Sequence, residues 1–180
     1  MTASYFVPRD EEWQPQTPEE KLDLLQSTQQ IKQLPMRYGL AVDSRNIDAL
    51  MELFVPDVQV GKDLRGRAEL EKWYRKALSS IQRTIHLVGN HILSFSDADH
   101  ATGVVYCRDE VESDGVWTLG HIQYWDTYER QEGRWYFVRR RYTRWKVVDK
   151  VVRTTSGGES ADLAAQELPN AWPTWNEFWH

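Results

Sequence analysis

Two short stretches of the chain carry side chains suited to moving protons near neutral pH. In Arg37-Tyr38-Gly39-Leu40-Ala41-Val42-Asp43 a phenol precedes a carboxylate by five residues, at the end of an apolar helical pattern. In Arg83-Thr84-Ile85-His86-Leu87-Val88-Gly89 a histidine stands inside a strand-like run. Imidazole takes and returns a proton in the physiological range, and a buried carboxylate can fix its tautomer and stabilise the imidazolium. The reading that joins the two stretches is an Asp43–His86 pair facing a cavity, with Tyr38 beside it, in an enzyme that works without a cofactor. Each residue also has a plainer role. Asp43 could be a turn or capping residue before Asn46, His86 a core histidine bonded to backbone, and Tyr38 a helix core residue. Asp109, in Cys107-Arg108-Asp109-Glu110, could pair with Arg108 or Arg139 on the outer surface of a sheet.

Other chemistries find less support. Gly61-Lys62-Asp63-Leu64-Arg65-Gly66 is bounded by glycines but lacks phosphate-loop spacing, and no dinucleotide fingerprint follows a strand. His86 and His91 are five residues apart on one expected strand, hence on opposite faces unless a bulge intervenes, so no metal site is expected. Cys107 has no neighbouring sign of activation and reads as a buried thiol.

Composition narrows the partners. A net charge of −5 over 180 residues argues against nucleic acid, whose phosphates such a surface repels. The basic run Arg139-Arg140-Arg141 is the local exception, and on a strand it divides between two faces instead of forming one patch. One cysteine rules out an intrachain disulfide and fits a reducing cytoplasm. No signal peptide is visible, and no apolar run approaches the ~20 residues a membrane helix needs. Nine tryptophans favour a large apolar pocket or a broad oligomer interface.

The elements that must position these residues follow from periodicity. Residues 1–16 form an aperiodic arm. Thr17-Pro18-Glu19-Glu20 is a helix start, and Leu24, Leu25, Ile31, Leu34 and Tyr38 recur at helical spacing, with a kink or break expected at Pro35. Asn46 caps a short helix, Val58–Val60 reads as a strand, and 61–66 as a loop. Residues 67–81 read as a helix burying Leu70, Trp73, Tyr74, Ala77 and Leu78. From Arg83 the period becomes two, with strands at 83–96, 101–112, 116–130 and 134–149 joined by hairpin turns, and a bend expected at Gly89. This is an α+β domain over 17–150, helices on one face of a curved antiparallel sheet. Residues 151–180 are a polar linker and an aromatic tail in which Trp172, Trp175, Phe178 and Trp179 share helical spacing. That tail is expected to cover a neighbouring subunit or a pocket mouth.

The order of elements and several local words resemble the NTF2-like superfamily, in particular its SnoaL-like enzyme branch. The words are Ala41-Val42-Asp43, Asp48-Ala49-Leu50, Phe54-Val55-Pro56-Asp57, Thr84-Ile85-His86, Gly89-Asn90, Asp126-Thr127-Tyr128-Glu129-Arg130 and Gly133-Arg134-Trp135. They cover roughly residues 25 to 148, leaving out the arm and the tail. The resemblance implies a cone-shaped fold, a homotrimer and an acid–base dyad at Asp43 and His86. The bile acid 7α-dehydratase pattern within the branch implies roles for Tyr38 and Asp109 as well. The second histidine of the scytalone dehydratase pattern, near Val111, is missing here. Strand parity then turns Val105 and Cys107 to the same face as Asp109, and the resemblance adds Ile122 and Tyr124 to the substrate-binding wall. The expected activity is a cofactor-independent lyase, a hydro-lyase first, on a hydrophobic cyclic or aromatic small molecule. Aldol-type C–C cleavage, isomerisation, cyclisation and HX elimination start from the same dyad, and a non-catalytic binding module is the reading from another class.

Overall fold

Thr17 opens the first helix. Its hydroxyl accepts from the Glu20 backbone N–H at 3.1 Å, and the Glu20 carboxylate accepts from the Thr17 N–H at 3.1 Å. This closed capping box, with Pro18 in the first helical turn, satisfies donors that a bare helix end leaves orphaned. In the computed structural model, which describes residues 12–149 and 172–179, α1 runs Pro18–Asp43. The expected break at Pro35 does not occur. Ile31, Leu34, Pro35, Tyr38, Ala41 and Val42 are all buried on the helix, and that packing outweighs the missing N–H.

The chain leaves α1 through a tight turn with Arg45 in the left-handed region (φ 56°). Asn46 then caps α2 (Ile47–Met51), its side chain accepting from the Ala49 N–H at 3.0 Å. The expected loop at 61–66 is instead a small hairpin, β1 (Gln59–Val60) against β2 (Leu64–Arg65), because Gly61 takes the positive φ such a reversal needs. α3 (Arg67–Leu78) is shorter than expected. It buries Leu70, Tyr74 and Leu78, but Trp73 is 54% exposed, a correction to the helical-wheel reading.

The sheet is a meander, β3 (Arg83–Phe95), β4 (His100–Ser113), β5 (Val116–Gln131) and β6 (Arg134–Asp149), antiparallel throughout and in sequence order. Asp114-Gly115 and Glu132-Gly133 join the later strands, all four residues at positive φ, as two-residue hairpin turns require. The long strands are interrupted by register shifts, including one between Val88 and His91 that contains Gly89. That shift restores parity, so His91 meets the buried Tyr128 instead of pointing away from the core. α1 packs along β3 and β6, and Ile31, Leu50, Val105, Ile122, Tyr128 and Phe137 lie in the core between helices and sheet.

Of the expected arm, residues 12–16 are described, and they dock on the end of β3. The Trp13 N–H donates to Phe95 O at 2.9 Å, and the Ser94 hydroxyl to Glu12 Oε1 at 2.8 Å. Residues 1–11 and the expected linker lie outside the described residues. The aromatic tail forms α4 (Pro173–Trp179), which buries Trp175 against the Ser44–Arg45 turn of the same chain.

Candidate active site

Gly39 sets the distance between α1 and β3. A Cβ on it would stand 3.0 Å from the Cβ of His86, so a side chain there would push helix and strand apart. The close approach delivers Asp43, the last residue of α1, onto the outer side of β3, an edge strand. Asp43 Oδ2 accepts from the His86 backbone N–H at 2.9 Å, and Oδ1 lies 2.6 Å from His86 Nδ1. The His86 side chain is 7% exposed and that of Asp43 15%. An ionised carboxylate only accepts, so in the neutral imidazole Nδ1 carries the proton and Nε2 keeps its lone pair, the tautomer of a general base. His86 lines a cavity of about 450 Å³ from which Asp43 is screened.

Tyr38 and Asp109 line the same cavity. The Tyr38 ring meets the His86 ring edge-on at 6.0 Å, and its hydroxyl accepts from the Tyr74 hydroxyl at 3.2 Å. Burial raises the Tyr38 pKa, with the Arg140 guanidinium opposing, so the phenol is neutral and can donate. Asp109 pairs in register with His86 on β3 and with Gly120 on β5. A Cβ on Gly120 would overlap Asp109 Oδ1, so the missing side chain is what makes room for the carboxyl. Burial raises the Asp109 pKa, and the His86 charge pulls the other way. Oδ1 is buried without a hydrogen-bond partner. The outer-surface pairing of Asp109 with Arg108 or Arg139 does not form, and Arg108 bonds Glu110 at 2.9 Å instead.

Among the expected wall residues, Tyr124 lines the cavity, but Val105, Cys107 and Ile122 do not. They lie deeper, in the apolar core, because the helices fill the space above the middle of the sheet. The cavity wall is supplied further along the strands by Val111, Thr118, Gly120 and Val147, and from the helical layer by Val42 and Ala77. Burial pushes the Cys107 thiol up to about 12, which leaves it without nucleophilic character at neutral pH.

Arg140 was not singled out from sequence. Its guanidinium grips Asp126 through two bonds of 2.9 and 2.7 Å and lies 4.3 Å from the Tyr38 ring, 4.1 Å from Tyr124 and 4.3 Å from Phe137. Burial opposes its charge, but the Asp126 carboxylate more than offsets this and holds it cationic. Nη1 is buried and unpartnered. The signal for it was parity, since the middle of three consecutive arginines faces opposite to its neighbours. The network continues inward. Tyr128 donates to Asp126 at 2.9 Å, so its oxygen is left to accept from His91 Nε2 at 3.1 Å. Burial, and then Arg140 and Lys32, lower the His91 pKa to about 4. A second chamber of about 780 Å³, lined by Phe54, Leu70 and Arg140, shares Tyr38, Tyr74 and Tyr124 with the first. Among the described residues no three His, Cys, Asp or Glu side chains cluster closely enough to hold a metal ion. No helix among them is long and apolar enough to cross a membrane.

The SnoaL-like domain model matches residues 23–141. Among solved structures, a hexachlorocyclohexane dehydrochlorinase superposes with a TM-score of 0.66 at 22% identity, over 72% of this chain and 93% of that one. A candidate scytalone dehydratase from Novosphingobium aromaticivorans gives 0.65 at 22% identity, over 74% and 93%. An NTF2-like protein with a cystatin-like fold from the same organism gives 0.55 at 26% identity, over 69% and 85%. A comparison with curated proteins finds no match. The structural likeness is one of fold: N-terminal helices on an open antiparallel sheet, the NTF2-like arrangement.

Proposed function

The chain belongs to the SnoaL-like domain family, and from that premise we propose that it is a cofactor-independent hydro-lyase acting on a hydrophobic cyclic or aromatic compound. The observation that carries this reading is the His86 imidazole, held at Nδ1 by Asp43 and lining an apolar cavity beside the Asp109 carboxyl, which burial biases toward its acid form. The substrate is a β-hydroxy carbonyl compound. His86 Nε2 removes the proton beside the carbonyl, and the electron pair moves onto the carbonyl oxygen. Tyr38 donates to that oxygen, and the Arg140 charge beyond the ring stabilises the arrangement. As the pair returns to form the carbon–carbon double bond, the C–O bond breaks and the hydroxyl leaves as water with the Asp109 proton. Return of the proton from His86 to its register neighbour Asp109 resets the site, so the cycle consumes no acid or base.

Aromatic and aliphatic residues make up most of the wall, which supports a hydrophobic substrate. The fold neighbours named for a dehydratase and for a dehydrochlorinase support elimination as the class, and the same dyad would serve loss of HX. The single buried thiol fits a reducing cytoplasm. Self-association is supported by apolar side chains exposed on the outer sheet face, Ile85, Leu87, Tyr106 and Trp145, and the homotrimer is the order that the family resemblance implies.

The test is a panel of ring-fused β-hydroxy ketones, followed by the ultraviolet absorbance of the enone and by mass identification of the small product. A positioned acid or base is worth about 10²–10⁴-fold, so His86→Ala and Asp43→Asn should each lose at least that range while remaining folded. Turnover persisting in both variants would refute the mechanism, and halide released from halogenated analogues instead of water would reassign the bond broken.

A further inference from the structure

Arg45 is a cation with almost no contact with water, 2% exposed, on a turn whose backbone is in a region that side-chain-bearing residues avoid. Its guanidinium reaches three places at once. Nη1 donates to Val42 O at 2.6 Å and to Thr84 Oγ1 at 3.1 Å, and Nη2 donates to Ile81 O at 2.9 Å. Val42 is the residue before Asp43, and Thr84 lies two residues before His86 on the same face of β3. One side chain therefore ties the backbone of the orienting carboxylate to the strand of the base.

The charge of that guanidinium is covered by α4. The Trp175 ring lies 4.8 Å from Arg45 Cζ and the Phe178 ring 5.9 Å from it, while the Thr174 hydroxyl donates to Ser44 O at 2.8 Å. A seven-residue helix does not persist alone in water, so α4 is helical because it is docked here. Without it, Arg45 would face solvent, and water would compete for the carbonyl oxygens it now holds. α4 also lies outside the span matched by the family model, 23–141.

We propose that Arg45, sealed by Trp175 of α4, is a positioning residue that clamps Asp43 onto His86, so that docking of the C-terminal helix completes the catalytic dyad. This rests on Asp43 and His86 being the reactive pair. The clamp does not touch substrate. It acts through the Asp43 carboxylate, where a displacement on the order of 1 Å is enough to cost about a hundredfold in rate.

The reporter is the His86 backbone N–H, whose acceptor is Asp43 Oδ2. Its hydrogen exchange can be followed by NMR in the full chain, alongside the core amides of β4 and β5. In Trp175→Ala the His86 amide should exchange at least tenfold faster while the core amides keep their rates, and Trp175→Phe should restore protection. Thr174→Val, which removes one hydrogen bond and leaves the apolar packing, should give a smaller acceleration at the same amide and guards against a Trp175→Ala chain that does not fold. Equal acceleration of the His86 and core amides in Thr174→Val, or none at His86 in either variant, would overturn the clamp and leave α4 as packing. The readout involves no turnover. A clamp present in a protein without lyase activity sinks only the proposed function, and an active lyase with an indifferent His86 amide sinks only the clamp.

Discussion

At Asp109 the local energetics run against stability, as the acid role proposed for it requires. Its carboxyl is buried beside His86 in a space that exists because residue 120 is glycine, and one of its oxygens has no partner. Its folded pKa lies above the ordinary 3.8. Between the two values the folded chain binds more protons than the unfolded chain, so stability falls as pH rises through that window, and the cost is complete above the folded pKa. Asp109→Asn should remove this fall. Its melting temperature should exceed that of the parent at neutral pH and converge with it below the ordinary carboxylate pKa, while turnover drops about 10²–10⁴-fold. Parallel stability profiles in the two proteins would mean that Asp109 is ionised at no cost and does not serve as the acid.

Among the elements, the α1–β3 crossing decides whether there is a site at all. The helix is held by its cap at one end and by the Arg45 turn at the other, and Gly39 allows it to lie against the strand. Gly39→Val places branched carbons where a single Cβ already meets His86 at 3.0 Å. Overpacking of this kind costs about 1–3 kcal/mol, and because the strain falls on the dyad, activity should fall by at least a hundredfold. A crystal structure of the variant should show the Asp43–His86 contact lengthened. Full activity with an unchanged contact would show that the helix has room to spare. Pro35 makes a related point, since a residue that breaks helices in isolation is carried inside one when the face around it is buried.

For the whole molecule, the outer face of the sheet carries large apolar side chains that the described residues leave exposed. Leu87 is 53% and Trp145 69% exposed on it, with the Tyr106 and Trp145 rings in contact at 6.3 Å. A homotrimer would bury this face. Leu87→Glu should then shift the sedimenting species from trimer to monomer at micromolar concentration, while circular dichroism stays the same. A parent protein that sediments as a monomer would refute the assembly.

Much of this molecule could be read from its sequence, for reasons of range. Capping, the change of period from 3.6 to 2, and the Asp-Gly and Glu-Gly turns act over a few residues, so the sequence by itself determined the helices, the meander and which of these elements carry an imidazole, a phenol and carboxylates. The meeting of Asp43 with His86 was one reading of those residue types among plainer ones, and the family words favoured it. Contacts between distant segments were decided only by tertiary structure. Val105, Cys107 and Ile122 sit beneath the cavity and not in its wall, because depth along a curved sheet is set by where the helices cover it. Arg140 joins the site because strand register, which no local pattern states, places it opposite Asp126. Gly39 and Gly120 matter through what stands across from them, and α4 through a turn 130 residues away in the chain. Residue types and their periods are properties of the chain, whereas the 2.6 Å between Asp43 and His86 comes from how helix, strand and turn pack together.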